Sequence, residues 1–365
     1  MRLLLCFSII VLVSASCVAQ DSVAEAATAQ SDSPERERIR EDVDRLINSA
    51  AIRDRAWAAY FVGKHGLKEY APLIIDLIQQ SPKDLRDENY LGCRVFFDSL
   101  IQLDVAVSAD QLMPLYDTFP NEVIILLAKS PKENQEALLS IAKNANPQQL
   151  YPYQYWVAAC NLLAQTEARG LAAHLLSEMT LELSIVVTDP NSGVSFGMGV
   201  GCTSSCGGGG VPSPPIGFPP IAVYRLVDDA RNGRVVVAPG PRTVYYQRTV
   251  IGSENGGGLD PGRYQMPWDK DRYVLEYLAT LLKTTTDGLQ FTNRASRTIH
   301  WKNAAEYRQT FQMYKKEIER SYDQVKNRLI ERDLLSAAES EVLTPKITVR
   351  VFDERQNKTV KLPDL

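Results

Sequence analysis

Arg53-Asp-Arg-Ala-Trp-Ala-Ala-Tyr-Phe-Val-Gly-Lys-His-Gly66, followed by Tyr70-Ala-Pro-Leu-Ile-Ile-Asp-Leu-Ile78, decides how the N-terminal half is read. The first run is rich in Arg and Ala and ends near Gly63-Lys64-His65. The second opens on Pro72, which the first turn of a helix tolerates because its missing N–H has no partner there anyway. Its apolar stripe is Leu73-Ile74-Ile75-Leu77-Ile78. Two short helices with a tight connection make an antiparallel pair. The small residues Ala58, Ala59 and Gly63 let a neighbouring helix approach, and the stripe seals the core between pairs.

The pattern recurs faintly downstream. Small and large apolar residues alternate again in Leu126-Leu127-Ala128 and in Ala159-Cys160-Asn161-Leu162-Leu163-Ala164. Each is followed by a stripe, Ala137-Leu138-Leu139-Ile141 and then Leu171-Ala172-Leu175-Leu176. Ser81-Pro82, Ser108-Ala109-Asp110, Pro120-Asn121, Ser130-Pro131 and Asn146-Pro147 punctuate the helices as N-caps and first-turn prolines. Self-similarity of this kind is the mark of stacked helix pairs. The stretch from residue 51 to 80 resembles a HEAT-type repeat, and the resemblance fades toward residue 179. A unit around Asp87–Asp117 keeps Pro114-Leu115 but carries bulky Phe96-Phe97 where small residues are expected. The resemblance implies an α-solenoid over residues 35–179 that serves as a scaffold or binding surface.

Near Thr180 the period changes. Leu181-Glu-Leu-Ser-Ile-Val-Val187 alternates and is β-rich, which predicts a strand. Residues 193–220 are crowded with Gly and Pro and read as a long surface loop. Ile221–Val227, Arg234–Ala238 and Thr243–Ile251 read as strands, with a tight-turn signal at Asn232-Gly233 before the second. Asp269–Leu282 reads as a helix and Asn303–Leu335 as a long one. In the long helix, Tyr307, Phe311, Tyr314, Ile318, Tyr322, Val325 and Leu329 fall on one stripe. Lys346–Phe352 alternates as a final strand. The fold class expected is α + β multidomain: a HEAT-like α-solenoid, then an α+β domain over residues 180–365 with a mainly antiparallel sheet and one long amphipathic helix.

The N-terminus predicts export. Arg2 precedes the apolar run Leu3–Val13, and small residues Ser14 to Ala19 follow, which is the pattern of a secretory signal over residues 1–19. That run is shorter than the ~20 residues a membrane-spanning helix needs. Cleavage after Ala19 leaves a soluble product, periplasmic or secreted. Ser14-Ala15-Ser16-Cys17 also resembles a permissive lipobox, which makes Cys17 a candidate for lipidation and membrane anchoring. Residues 20–34 are polar and read as a disordered leader.

Composition narrows the function. Of 40 basic and 44 acidic residues, only Arg2 lies in the signal, leaving 39 against 44 and a net charge of −5. That balance argues against nucleic acid, which requires a clustered basic face. Cys202 and Cys206 form a close pair that export permits to bridge, with a free pair as the alternative. Cys93 and Cys160 lie in apolar helical segments and read as small buried hydrophobes. His65, His174 and His300 are far apart, and none has a partner at metal-ligand spacing; His174 with Glu178 reads as a surface pair. No cofactor and no metal are expected. Tyr151, Tyr153, Tyr155 and Trp156, with Trp268 further on, are candidate binding aromatics. The expected function is a non-catalytic protein-binding or scaffold role toward another envelope or secreted protein, with oligomeric state left open. The competing class is a glycosidase-like extracytoplasmic hydrolase that pairs carboxylates from among Asp98, Asp228, Asp229, Asp269 and Asp271.

Overall fold

The structure is a computed structural model and describes residues 34–80, 87–145, 152–188, 217–227, 235–238, 240, 243–251, 270–289, 294–300, 304–353 and 358–360. It is an α+β protein that divides into two compact units. The first holds the described residues within Met1–Leu103 and Pro215–Pro219. The second holds those within Asp104–Pro214 and Pro220–Leu365.

The first unit is built from α1 (Pro34–Ile47), α2 (Ile52–His65), α3 (Ala71–Gln79) and α4 (Asp87–Leu103). α2 buries Ala56, Ala58, Ala59 and Val62 and stops at Gly66. Gly66 has φ 64°, a left-handed conformation that glycine adopts without strain. The reversal lets the Leu67 N–H reach back to the Val62 carbonyl at 3.0 Å, which satisfies a helix-end acceptor. α2 lies directly against both α1 and α4. A Cβ on Gly63 would come within 3.0 Å of the Ser99 Cα, so the two backbones meet at the small residues noted in the sequence. The bulky Phe96 and Phe97 of α4 are fully buried. Gly63→Val should destabilise the protein by about 1–3 kcal/mol through overpacking against main-chain atoms. Chemical unfolding reads this, and an unchanged midpoint would mean that α2 and α4 separate freely.

The second unit opens on α5 (Ala109–Leu112), α6 (Pro120–Leu127), α7 (Gln135–Asn144), α8 (Pro152–Gln165) and α9 (Leu171–Glu178). α5 is a single turn because Pro114 lacks the N–H that would continue it, and the chain tightens into a 3-10 turn at Met113–Leu115. α8 is the centre of this unit. Every residue from Trp156 to Ala164 is buried, as a helix apolar on all sides must be. It touches α6, α7 and α9, the strands β2 (Ile221–Val227), β3 (Val235–Ala238) and β4 (Val244–Ile251), and α10 (Lys270–Leu281). Those contacts join α8 to elements on both sides of the change of period near Thr180.

The strands form two sheets where the sequence reading has one that is mainly antiparallel. β2, β4 and β3 make an antiparallel sheet in that order. β2 and β3 therefore do not pair as the Asn232-Gly233 signal implies, because β4 lies between them. The other sheet runs β5 (Arg294–His300), β1 (Thr180–Thr188), β6 (Lys346–Asp353), β7 (Lys358–Val360). Its central strand β1 pairs parallel on both edges, Leu183 opposite Ala295 on one side and Val349 on the other. Parallel neighbours need long crossovers. β5 and β6 flank β1 on opposite sides, and the chain that crosses from one to the other carries α11 (Ala304–Glu331) and α12 (Ala337–Val342). Leu181, Leu183 and Ile185 of β1 are buried and alternate with half-buried Glu182, Ser184 and Val186. α11 touches β1 and buries Phe311, Ile318, Tyr322, Val325 and Leu329, as its stripe predicts. Tyr314 is half-buried, and the side chain of Tyr307 lies outside the described set. The Tyr322 hydroxyl donates to the Leu176 carbonyl at 3.3 Å. Among the described residues no helix is long and apolar enough to cross a membrane.

Candidate interaction surface

Residues three and four apart share one face of a helix. On α2 this rule aligns Arg53, Trp57, Tyr60, Phe61, Lys64 and His65 opposite the buried alanines. Trp57, Tyr60 and Phe61 are half-exposed. Their rings touch: Trp57 meets Tyr60 edge-on at 5.6 Å, Trp57 lies 5.6 Å from Phe61, and Phe61 lies 6.4 Å from His65. The Lys64 ammonium stands 5.7 Å from the Tyr60 ring centroid. The result is an amphipathic aromatic rail, a chemistry enriched where proteins recognise one another. Beyond Gly66, the buried Tyr70 donates its hydroxyl to Asp44 at 2.8 Å. Burial, together with that carboxylate, pushes the Tyr70 hydroxyl up to about 12.

One end of the rail is engaged by a distant part of the chain. The Trp57 indole N–H donates to the Gly217 carbonyl at 2.8 Å. The Arg53 guanidinium lies 5.6 Å from the Phe218 ring centroid and is tied to Glu88 at 2.8 Å. Phe218 and Pro219 are both buried.

The aromatics singled out in the sequence fare differently. Tyr153 is only 7% exposed and Trp156 only 1%, so both leave the set of surface binding residues. They turn inward because α8 has neighbours on all sides. Tyr155 is half-buried and meets Tyr116 edge-on at 6.3 Å. Tyr151 and Trp268 lie outside the described residues, as do Cys17, Cys202 and Cys206. The α2 stretch carries small residues on one face and these rings on the other, and the sequence reading rests on the small residues alone. The signal was present in the spacing of Trp57, Tyr60 and Phe61.

His174 is 8% exposed and not part of a surface pair. Its Nε2 accepts the Trp156 indole N–H at 3.1 Å, so its own proton sits on Nδ1. Burial lowers its pKa, Glu178 opposes that, and Lys270 and Lys143 add to it. Glu178 is ion-paired with Lys270. Burial pushes this carboxyl up, but the Lys270 hydrogen bond and charge outweigh it and hold it below its usual range. Protonating Nε2 would set two N–H groups against each other. The sign follows by linkage: the unfolded imidazole takes a proton near its ordinary value of about 6.5 while the folded one stays neutral. The stabilisation is present above that value and is lost as pH falls through the lowered folded pKa. Melting temperature should therefore drop between pH 7.5 and 5, and His174→Gln, which keeps an acceptor but does not titrate, should reduce the drop. An equal drop in the variant would assign the acid sensitivity to other groups.

The remaining chemistry is quiet. Cys93 and Cys160 are free and buried, and burial pushes the Cys160 thiol well above its usual range, which makes it a poor nucleophile. Asp98 is buried and accepts a hydrogen bond from Gln102 at 2.8 Å. Asp271 lies in the first turn of α10, and Asp228, Asp229 and Asp269 lie outside the described residues. Among the described residues, no three His, Cys, Asp or Glu side chains converge as metal ligands would. No family model, curated protein or solved structure matches the chain.

Proposed function

We propose that this is an exported, non-catalytic protein-binding or scaffold protein of the cell envelope that uses a HEAT-like helical array as its interaction surface. The half-exposed aromatic rail of α2 carries the reading. Burying Trp and Tyr rings against a partner removes large apolar area at low cost in side-chain entropy. Helix spacing supports the array. Helices begin at Ile52, Asp87, Pro120 and Pro152, steps of 35, 33 and 32 residues, and a second short helix follows each. α2 touches α4 with α3 intervening in sequence, and α6 touches α8 with α7 intervening. Contact between alternate helices is how stacked pairs bury a continuous core. The apolar run Leu3–Val13 and the small residues after it support export.

The test places a photo-crosslinking phenylalanine analogue at Tyr60 of the full chain in its native cell, with exposed Glu133 as the control position. A discrete protein adduct at Tyr60, absent at Glu133, is expected. Equal labelling at both sites would reject the rail as an interface. Mass spectrometry of the mature N-terminus reads the export route. Gln20 first means ordinary cleavage and a lipidated Cys17 means an anchor, whereas an intact Met1 would rule out both.

A further inference from the structure

We infer that Arg53 and Trp57 form a docking site for a glycine–phenylalanine–proline peptide segment, which the chain keeps closed with its own Gly217-Phe218-Pro219. This rests on the reading of α2 as an interaction surface and names the partner class. Three features make the contact a recognition site. First, the Trp57 indole N–H is spent on a main-chain carbonyl 160 residues away in sequence, at 2.8 Å. An indole donating to a peptide carbonyl beside an aromatic wall is how proline-rich segments are read. Second, the segment is stiff before it docks. Proline biases the residue before it toward extended or polyproline conformation, so Pro219 restrains Phe218 and Pro220 restrains Pro219. Little entropy is lost on seating it. Third, the glycine is required by shape. Gly217 has φ 91°, and a Cβ there would meet the Arg53 guanidinium at 3.3 Å. The Arg53 guanidinium, held in place by Glu88, lies against the Phe218 ring. Trp57 reads the carbonyl and Arg53 reads both the ring and the glycine, and none of these contacts belongs to a helix or strand ladder.

A tethered occupant reduces the apparent affinity for a free peptide by the fraction of time the site is closed. The probe is a fluorescein-labelled peptide of residues 215–221, Pro-Ile-Gly-Phe-Pro-Pro-Ile, titrated by anisotropy against the full chain. Phe218→Ala in the chain should raise peptide affinity at least ~10-fold over wild type by vacating the site. Gly217→Ala in the chain should raise it by a smaller factor. Adding Trp57→Phe to the Phe218→Ala chain should cost about 10-fold, because the ring remains but the donor is lost. Equal peptide affinity for the wild-type and both single-variant chains would overturn the proposal. So would binding indifferent to Trp57→Phe, or a Phe218→Ala chain that loses its helical circular dichroism, which would make Phe218 ordinary core. A peptide that binds while Tyr60 yields no specific crosslink keeps the docking site and removes the envelope-partner reading. A specific crosslink without peptide binding does the reverse.

Discussion

Trp156→Ala should lower the free energy of unfolding by about 3–5 kcal/mol, the range for deleting a large buried ring. The ring is 1% exposed, lies 6.0 Å from that of Tyr277, and donates its N–H to His174. Truncation leaves a void in a helix whose neighbours are fixed on every side. It also leaves the His174 acceptor without its donor. Trp156→Phe separates the two effects. It keeps most of the volume and should cost about 1–3 kcal/mol, chiefly for the unsatisfied acceptor. Chemical unfolding measures both, with Glu133→Ala on an exposed site as a control expected within about 0.5 kcal/mol of wild type. A loss below about 1 kcal/mol for the alanine variant would mean that α8 repacks freely, contrary to the dense surroundings described above.

Ile318→Ala should cost about 2–5 kcal/mol by the same physics, lost burial plus a residual cavity. Ile318 is 1% exposed and one helical turn from fully buried Tyr322, whose hydroxyl is anchored to the Leu176 carbonyl. Glu319, the next residue, is half-exposed, and its nearest ion-pair partner Lys315 is 3.9 Å away. Glu319→Ala should therefore be close to neutral, since exposed pairs at this spacing contribute only about 0.3–0.5 kcal/mol. The stripe is buried within the chain, so the unfolding midpoint should not depend on protein concentration. A midpoint that rises with concentration, with a dimer in sedimentation, would instead mean that the stripe of α11 pairs with a second copy.

Much of the fold was legible in sequence because local rules carried it. Steps of three and four residues located the stripe of α11, and the observed burial follows it down to Leu329. Alternation located β1 and β6, and the β-rich runs between turn signals located β2, β3 and β4. β5 is silent in sequence because Arg294-Ala-Ser-Arg-Thr-Ile-His300 has too few apolar residues to show a period, yet it completes one edge of the β1 sheet. The candidate site was legible only in part. The spacing of Trp57, Tyr60 and Phe61 places them on one face, but no local rule says that this face is left half-exposed. The four rings at residues 151–156 attracted the binding reading on composition, and burial of Tyr153 and Trp156 removed them from it.

The sequence by itself determined the elements: short helices with small-residue faces, a change to β-period near Thr180, and a long helix with a continuous stripe. These depend on contacts between residues a few positions apart, which periodicity and punctuation record. Only the tertiary structure decided which faces are covered and by what. It put β1 between two parallel neighbours, made α8 the buried centre of its unit, turned His174 into an acceptor for Trp156, and brought Gly217 to Trp57. Each of these joins residues whose separation along the chain leaves no periodic trace. Burial is a property of all neighbours together, and one strand or helix cannot encode alone what lies against it.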